Sequence, residues 1–360
     1  MTIRIFNPEH DIALAEDKEV FASPHAGRQL RYDLSFLPAL WSEDGDVVVV
    51  DDVDVAETGW RSLRKVKKSD VSFLTMAQVS DELRKGCHAH LNVDVWGWDA
   101  AIRHQLLRAG VPETIMPTRE LLAEVRRLSS RRITVRLLQS LRDGIDGITC
   151  GVSSYVTDKK VIVEEVLKKE NIVVKAPWSS SGRGVRYLID GVLSENTINW
   201  ITNTIRKQGG VMVEPLYNKV KDFGMEFVRQ SEGSVRFVGL SLFDTRNGSY
   251  TGNLLATEQE KRDILSRYVS LSLLDGVISR LEILLADMLA PLQGLSLCLG
   301  VDMMVVAGNE SEGFLLHPCV EVNLRRTMGH VALRLQPSVC AGVTSMNITF
   351  ENKKYHLRLR

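Results

Sequence analysis

The apolar positions of this chain change their rhythm along its length, and the change predicts its organisation. Ile3, Ile5 and Phe6 predict a first strand, followed by the loop Asn7-Pro8-Glu9-His10-Asp11. Val47–Val50 is an unbroken β-branched run, as expected of a buried strand in a parallel sheet. Residues 98–109 carry helical spacing, and Gly110 sits where a helix C-cap belongs. These features predict a small α/β domain over 1–115. Two helical patterns follow, 118–128 and 133–142, with Gly144 ending the second. Strands are then expected at 171–176, 184–189, 211–214, 223–229 and 234–243, with helices at 194–207 and 262–290. Further strands are expected at 299–306 and 313–322, joined through the turn-rich segment Gly308–Gly313. Residues 346–360 alternate around Asn352-Lys353-Lys354 and predict a terminal hairpin. Grouped strands separated by helices predict an α+β fold with mainly antiparallel sheet, unlike the first domain. The expected parts are 1–115, 116–210, 211–345 and 346–360.

Composition narrows the class of protein. A chain of 360 residues is too long for one ordinary core, and 44% hydrophobic with 25% charged residues is globular composition. Forty-five basic and 45 acidic residues give no net charge, which disfavours nucleic acid as the main partner. The best local basic patch is Arg126–Arg127 with Arg131–Arg132. The five cysteines show no CxxC spacing, so a zinc site or disulfide framework is not indicated and a reducing compartment is the simplest setting. The N-terminus lacks a signal-like apolar region. The most apolar long segment, 271–292, is broken by Asp275, Arg280, Glu282 and Asp287. A cytoplasmic protein without membrane partners is expected.

Three constellations could carry chemistry. In Lys175-Ala-Pro-Trp-Ser179-Ser180-Ser181-Gly182-Arg183-Gly184, glycines let the backbone approach a ligand and serines add donors. Lys175 adds a cation at the strand end. The loop joins strand to strand and is not a P-loop. In Glu321-Val-Asn323-Leu-Arg325, alternation places the three polar side chains on one strand face. A hairpin about Gly308–Gly313 would return Asp302 to the neighbourhood of residues 318–321. Two carboxylates and an amide oxygen would suit Mg²⁺, and Arg325 could stabilise phosphoryl charge. The third is the apolar strand ending in Glu214-Pro215-Leu216, followed by Asp222. Such a strand can be a hinge whose backbone faces a base edge, with Asp222 accepting from ribose hydroxyls. Each piece also has an ordinary structural reading, as a turn, a solvated strand face or a proline-terminated strand.

Their order resembles the ATP-grasp superfamily, in particular uncharacterised bacterial ligase-like members. The pattern is a strand lysine with a glycine-rich flap, an acidic hinge, an acidic strand position and Glu-x-Asn-x-Arg. Here these are Lys175 with Ser179–Gly184, Glu214, Asp302 and Glu321-Val-Asn323-Leu-Arg325. The resemblance covers about residues 130–335 and implies a small lid over 116–210 and a larger metal-bearing domain over 211–345. It also implies ATP and Mg²⁺ (or Mn²⁺) as cofactors. Lys175 and the flap would hold phosphates, and Glu214, Pro215 and Leu216 the adenine. Asp302, Glu321 and Asn323 would hold the metal. An earlier lysine of the family is replaced here by Arg131 or Arg132 within Ser129-Ser-Arg131-Arg132.

The implied activity is ligation of a small-molecule carboxylate to an amine, or to a thiol, through an acyl phosphate, with Lys175 and Arg325 as catalytic groups. A small-molecule kinase and a non-catalytic nucleotide-binding protein are the alternatives. His10, Arg183 and His330 are candidate substrate contacts, whereas Trp96-Gly-Trp98-Asp99 reads as core packing. Homo-oligomerisation is left open.

Overall fold

The computed structural model describes all residues except 64–69, 87–89, 146–148, 169–170, 180–183, 247–248, 310–312 and 336–341. Ser180, Ser181, Gly182 and Arg183 of the flap therefore lie outside the described residues. The chain forms two compact units. The first comprises Met1–Arg126, Thr251–Thr257 and Arg325–Arg360, the second Arg127–Tyr250 and Glu258–Leu324.

The chain begins with β1 (Thr2–Ile5), α1 (His10–Glu16), α2 (His25–Leu34), β2 (Val47–Val49) and α3 (Val53–Arg61). It continues with β3 (Ser72–Leu74), α4 (Met76–Arg84), β4 (Asn92–Val95) and α5 (Ala100–Arg108). The four strands make a parallel sheet in the order β3-β2-β1-β4. β2 is buried along its length, which is why it can be an uninterrupted valine run. Asp99 caps α5 by accepting from the Ile102 N–H at 2.8 Å. Gly110, just past the helix, takes φ +93°, a conformation in which an L side chain would clash.

Next come α6 (Arg119–Leu128), α7 (Arg132–Asp143), β5 (Ser154–Val156), α8 (Lys159–Leu167), β6 (Ile172–Lys175), β7 (Val185–Leu188), α9 (Glu195–Gln208) and β8 (Val211–Pro215). An antiparallel sheet of order β5-β8-β6-β7 results. Ile162, Ile172, Val174, Leu188, Ile201 and Val211 pack between this sheet and its helices.

The rest of the second unit is built on β9 (Lys219–Arg229) and β10 (Val235–Arg246). After β11 (Ser249–Leu254) come α10 (Glu258–Leu265), α11 (Leu271–Met288), β12 (Leu297–Ala307) and β13 (Phe314–Asn323). These strands run β13-β12-β9-β10, all antiparallel. The single helix expected over 262–290 is instead two, α10 and α11. Ser270 makes the break, its Oγ accepting from the Leu273 N–H at 3.2 Å and so starting a new helix.

α12 (Met328–Arg334), β14 (Ser345–Glu351) and β15 (Lys354–Leu359) complete the first unit. β14 and β15 form a hairpin whose two turn residues, Asn352 and Lys353, have φ of 51° and 63°, the left-handed pair that matches strand twist. Residues Gly252–Leu254 pair with β14. Leu255, Val331, Leu335 and Met346 join Val48, Trp60 and Trp96 in one core. Among the described residues no helix is long and apolar enough to cross a membrane.

Candidate functional site

Antiparallel pairing in the second unit assembles a polar face. Asp302 stands directly opposite Glu321, and Gly300 opposite Asn323. On the other side of β12, Asp302 faces Gly224 and Gly300 faces Glu226. Directly opposed residues share a sheet face, so these six positions form two adjoining rows. Two of the six are glycines, which leaves space between the polar groups. A β-carbon placed on Gly224 would lie 3.3 Å from Glu226 Oε1 and 3.6 Å from Asp302 Oδ1, so both carboxylates lean over that glycine. Asn323 Nδ2 donates to Asp302 Oδ2 at 3.0 Å, so the amide oxygen is the accepting end of that side chain.

Cations border this face. Arg131 is buried, its backbone N–H donating to Pro177 O at 3.0 Å. Its Nη1 donates to Ala176 O and Ser179 Oγ, both at 2.7 Å, and its Nη2 meets Glu321 Oε1 at 2.7 Å. One guanidinium thus ties the start of the flap segment to a carboxylate of the polar face. Arg132, the alternative, points elsewhere and covers the Tyr155 ring at 4.7 Å. Gly184 closes the described part of the flap by accepting from the Ala176 N–H at 2.8 Å. A side chain there would run into Ser179, whose Cβ would lie 2.2 Å away.

Lys175, at the end of β6, is buried and donates to Glu214 Oε2 at 2.5 Å. Glu214 Oε1 accepts from Ser153 Oγ at 3.1 Å. Pro215 is paired with Ile172 in the sheet, and the Leu216 N–H donates to Asn171 O at 2.8 Å. Asp222 accepts from Lys219 Nζ and, at 2.8 Å, from Thr245 Oγ1. Two further groups belong to this neighbourhood. Burial pushes the Lys261 ammonium on α10 below its ordinary pKa, while Glu258 and Glu226 oppose that shift. His317 on β13 is buried with neither ring nitrogen hydrogen-bonded among the described residues, and burial, then Lys175, push its pKa down to about 3.

No family model matches this chain, and no curated protein matches it. Solved structures do. Biotin carboxylase from Campylobacter jejuni, in its β-γ-ATP complex, aligns over 93% of this chain and 67% of its own, with TM-score 0.51 and 11% identity. The chain shares its fold with this biotin carboxylase. N5-carboxyaminoimidazole synthetase from Staphylococcus aureus, complexed with ADP, aligns over 91% of this chain and 71% of its own, with TM-score 0.48 and 12% identity. The biotin carboxylase domain of the Hydrogenobacter thermophilus 2-oxoglutarate carboxylase aligns over 94% of this chain and 69% of its own, with TM-score 0.48 and 14% identity.

The remaining candidates lie in the first unit of the chain. Arg325 is gripped by Asp11, with Nε at 3.1 Å from both carboxylate oxygens and Nη2 at 2.8 Å from one. His330 is buried inside a capping box. Its Nδ1 lies 3.2 Å from the Thr327 N–H nitrogen, and Thr327 Oγ1 accepts from the His330 N–H at 3.3 Å. His10 is buried with Nδ1 3.1 Å from Asp99 Oδ2. Its ring rests on Gly97, where a β-carbon would come within 2.6 Å of it. This explains the glycine in Trp96-Gly-Trp98-Asp99. Trp96 packs edge-on to Phe6 at 4.8 Å, in the core, as expected of that motif.

Ser153, Lys261 and His317 were not singled out from sequence, and Glu226, which closes the stretch after Asp222, was given no role there. Glu226 shares the polar face because β9 lies beside β12, a register that spacing along one strand does not contain. For Ser153 the only signal is a hydroxyl near the next strand. For His317 the only signal is a polar residue in an apolar run, and for Lys261, within Glu258-Gln-Glu-Lys261-Arg-Asp, there is none.

Proposed function

We propose that the second unit binds ATP with Mg²⁺ and uses it to activate a small-molecule carboxylate for ligation to an amine. The carrying observation is the convergence of Asp302, Glu321 and Asn323 on one sheet face, beside Arg131 and within the unit that holds Lys175. Among the described residues no three His, Cys, Asp or Glu side chains gather as a metal cluster. The donor set is instead two carboxylates and an amide oxygen, with glycines giving room. That fits Mg²⁺, which takes few protein oxygens and completes its shell with water and phosphate. Asp302, Glu321 and Asn323 would hold it, and when bound it neutralises phosphate charge and orients the γ-phosphoryl group.

The chain's own groups supply the rest. Arg131 and Lys175 are positioned to receive phosphate oxygens, each exchanging a carboxylate partner for the nucleotide. Ser179 would contact the phosphates, and the Glu214-Pro215-Leu216 strand end would border the base. A substrate carboxylate oxygen attacks the γ-phosphorus, the bond to the β-phosphate oxygen breaks, and ADP leaves. An amine nitrogen then attacks the acyl carbon, phosphate departs with the C–O bond electrons, and the nitrogen loses a proton. This chemistry requires positioning and charge neutralisation and no protein nucleophile.

Calorimetry with ATP analogue and MgCl₂ tests the binding step, and ADP release across a carboxylate panel with hydroxylamine tests activation. Magnesium-dependent nucleotide binding and carboxylate-dependent hydroxamate formation are expected. Glu321→Gln or Asp302→Asn should lower turnover about 100-fold or more, the scale seen when one charge-stabilising group is removed. A stable phosphorylated product formed without amine would instead assign a kinase. Wild-type-like magnesium dependence in both variants would sink the metal assignment.

A further inference from the structure

The first unit contains a cavity of about 310 Å³ of its own, at the carboxyl ends of β1, β2 and β3, where parallel sheets receive ligands. Its ionisable lining is Glu9, His10, Arg31, Asp51 and Asp99, against apolar groups such as Phe21. Two of these side chains are almost wholly buried and carry a polar atom without a hydrogen-bond partner among the described residues.

Glu9 is 4% exposed. Its Oε1 accepts from Arg31 Nη1 at 2.6 Å and from Ser23 Oγ at 3.2 Å, while Oε2 has no partner. Leaving a buried carboxylate oxygen unmatched is costly, and a bound donor would remove that cost. His10 is 1% exposed, and its Nε2 is likewise without a partner. Asp99 Oδ2, which lies 3.1 Å from His10 Nδ1, also accepts from Asn7 Nδ2 at 3.2 Å. An ionised carboxylate only accepts, so Nδ1 carries a hydrogen, and in the neutral ring Nε2 then presents a lone pair. With the ring neutral, the two unmatched atoms are both acceptors. Three acids line the cavity against a single arginine, and that arginine already bonds Glu9 and, through Nε at 2.9 Å, Asp51. An anion such as phosphate would meet an excess of like charge. A cation with several N–H donors would be matched.

We infer that this cavity binds a small molecule presenting a protonated primary amine, its ammonium hydrogens donating to Glu9 Oε2 and His10 Nε2. As an amine site the inference stands by itself. Only its role as the source of the acceptor amine rests on the ligase reading above.

The test uses the full chain without nucleotide, titrated calorimetrically with matched pairs. Ethanolamine is set against ethylene glycol, glycinamide against glycolamide, and glucosamine against glucose, with inorganic phosphate and acetate as anionic probes. At least one amine should bind, tenfold or more tighter than its hydroxyl counterpart. Glu9→Gln and His10→Phe should each weaken that amine tenfold or more. Binding of Mg²⁺ with an ATP analogue and the thermal melt report whether each variant is folded. If Glu9→Gln fails to fold, His10→Phe decides the matter. Absence of binding by every amine, equal binding of the hydroxyl counterparts, preference for phosphate, or unchanged amine binding in the folded variants overturns the inference. None of these outcomes depends on catalysis, so failure here and failure of the ligase reading are separable.

Discussion

His317 shows how much one side chain can hold in reserve. Its ring is sealed beneath Gly151, where φ is +112° and a β-carbon would lie 2.8 Å from Nε2, and stands edge-on to Tyr217 at 5.4 Å. With its pKa pushed down from 6.5 to about 3, the folded protein keeps the ring neutral while an unfolded chain would protonate it. The stability this contributes is present above pH 6.5 and is lost as pH falls from there towards 3. The slope is about 1.4 kcal/mol per pH unit for one proton. Urea titrations between pH 6.5 and 4 should therefore show a shallower acid loss for His317→Phe than for the native chain. A second residue-scale expectation concerns the buried pair Lys175–Glu214. Lys175→Met alone should cost about 3–5 kcal/mol, because it strands a buried carboxylate. Replacing both residues by Met should cost less than the sum of the single changes, as read from a double-mutant cycle of denaturation midpoints.

At the scale of elements, much was legible where local rules decide. The valine run of β2, the glycine after α5 and the hairpin through Gly308–Gly313 each follow from backbone preferences carried by neighbouring residues. The hairpin also returned Asp302 to Glu321, within the expected window. What spacing could not supply was register. A bulge lies between Asp302 and Met304, so Glu321 faces Asp302 while Met304 faces His317. Only lateral pairing brings Glu226 onto the same face. The choice of Arg131 over Arg132 was equally hidden, since adjacent residues at a helix start diverge by about 100° once the helix turns. The loop after β1 was readable as holding a candidate substrate contact, His10, but not as a scaffold. Asn7 brackets Gly97, donating to its carbonyl at 2.8 Å and accepting from its N–H at 3.3 Å. Gly97→Ala should force the His10 ring aside and destabilise the chain by about 1–3 kcal/mol, measured as a shift in the urea midpoint.

The whole molecule is interleaved. The first unit is assembled from three separate stretches, Met1–Arg126, Thr251–Thr257 and Arg325–Arg360. Its core needs Leu255, Val331, Leu335 and Met346 from the later stretches to cover Trp60 and Val48. A fragment ending at Arg126 should therefore lack a cooperative thermal transition and bind the dye ANS, whereas the complete chain should melt sharply. The same interleaving reverses the order of birth and completion. On a ribosome the amino-terminal sheet emerges first, yet it stays unfinished until residues 325–360 have been made. The second unit, begun later, has all its stretches as soon as Leu324 is clear of the exit tunnel. Through that interval the nascent chain would carry an open apolar surface on its parallel sheet.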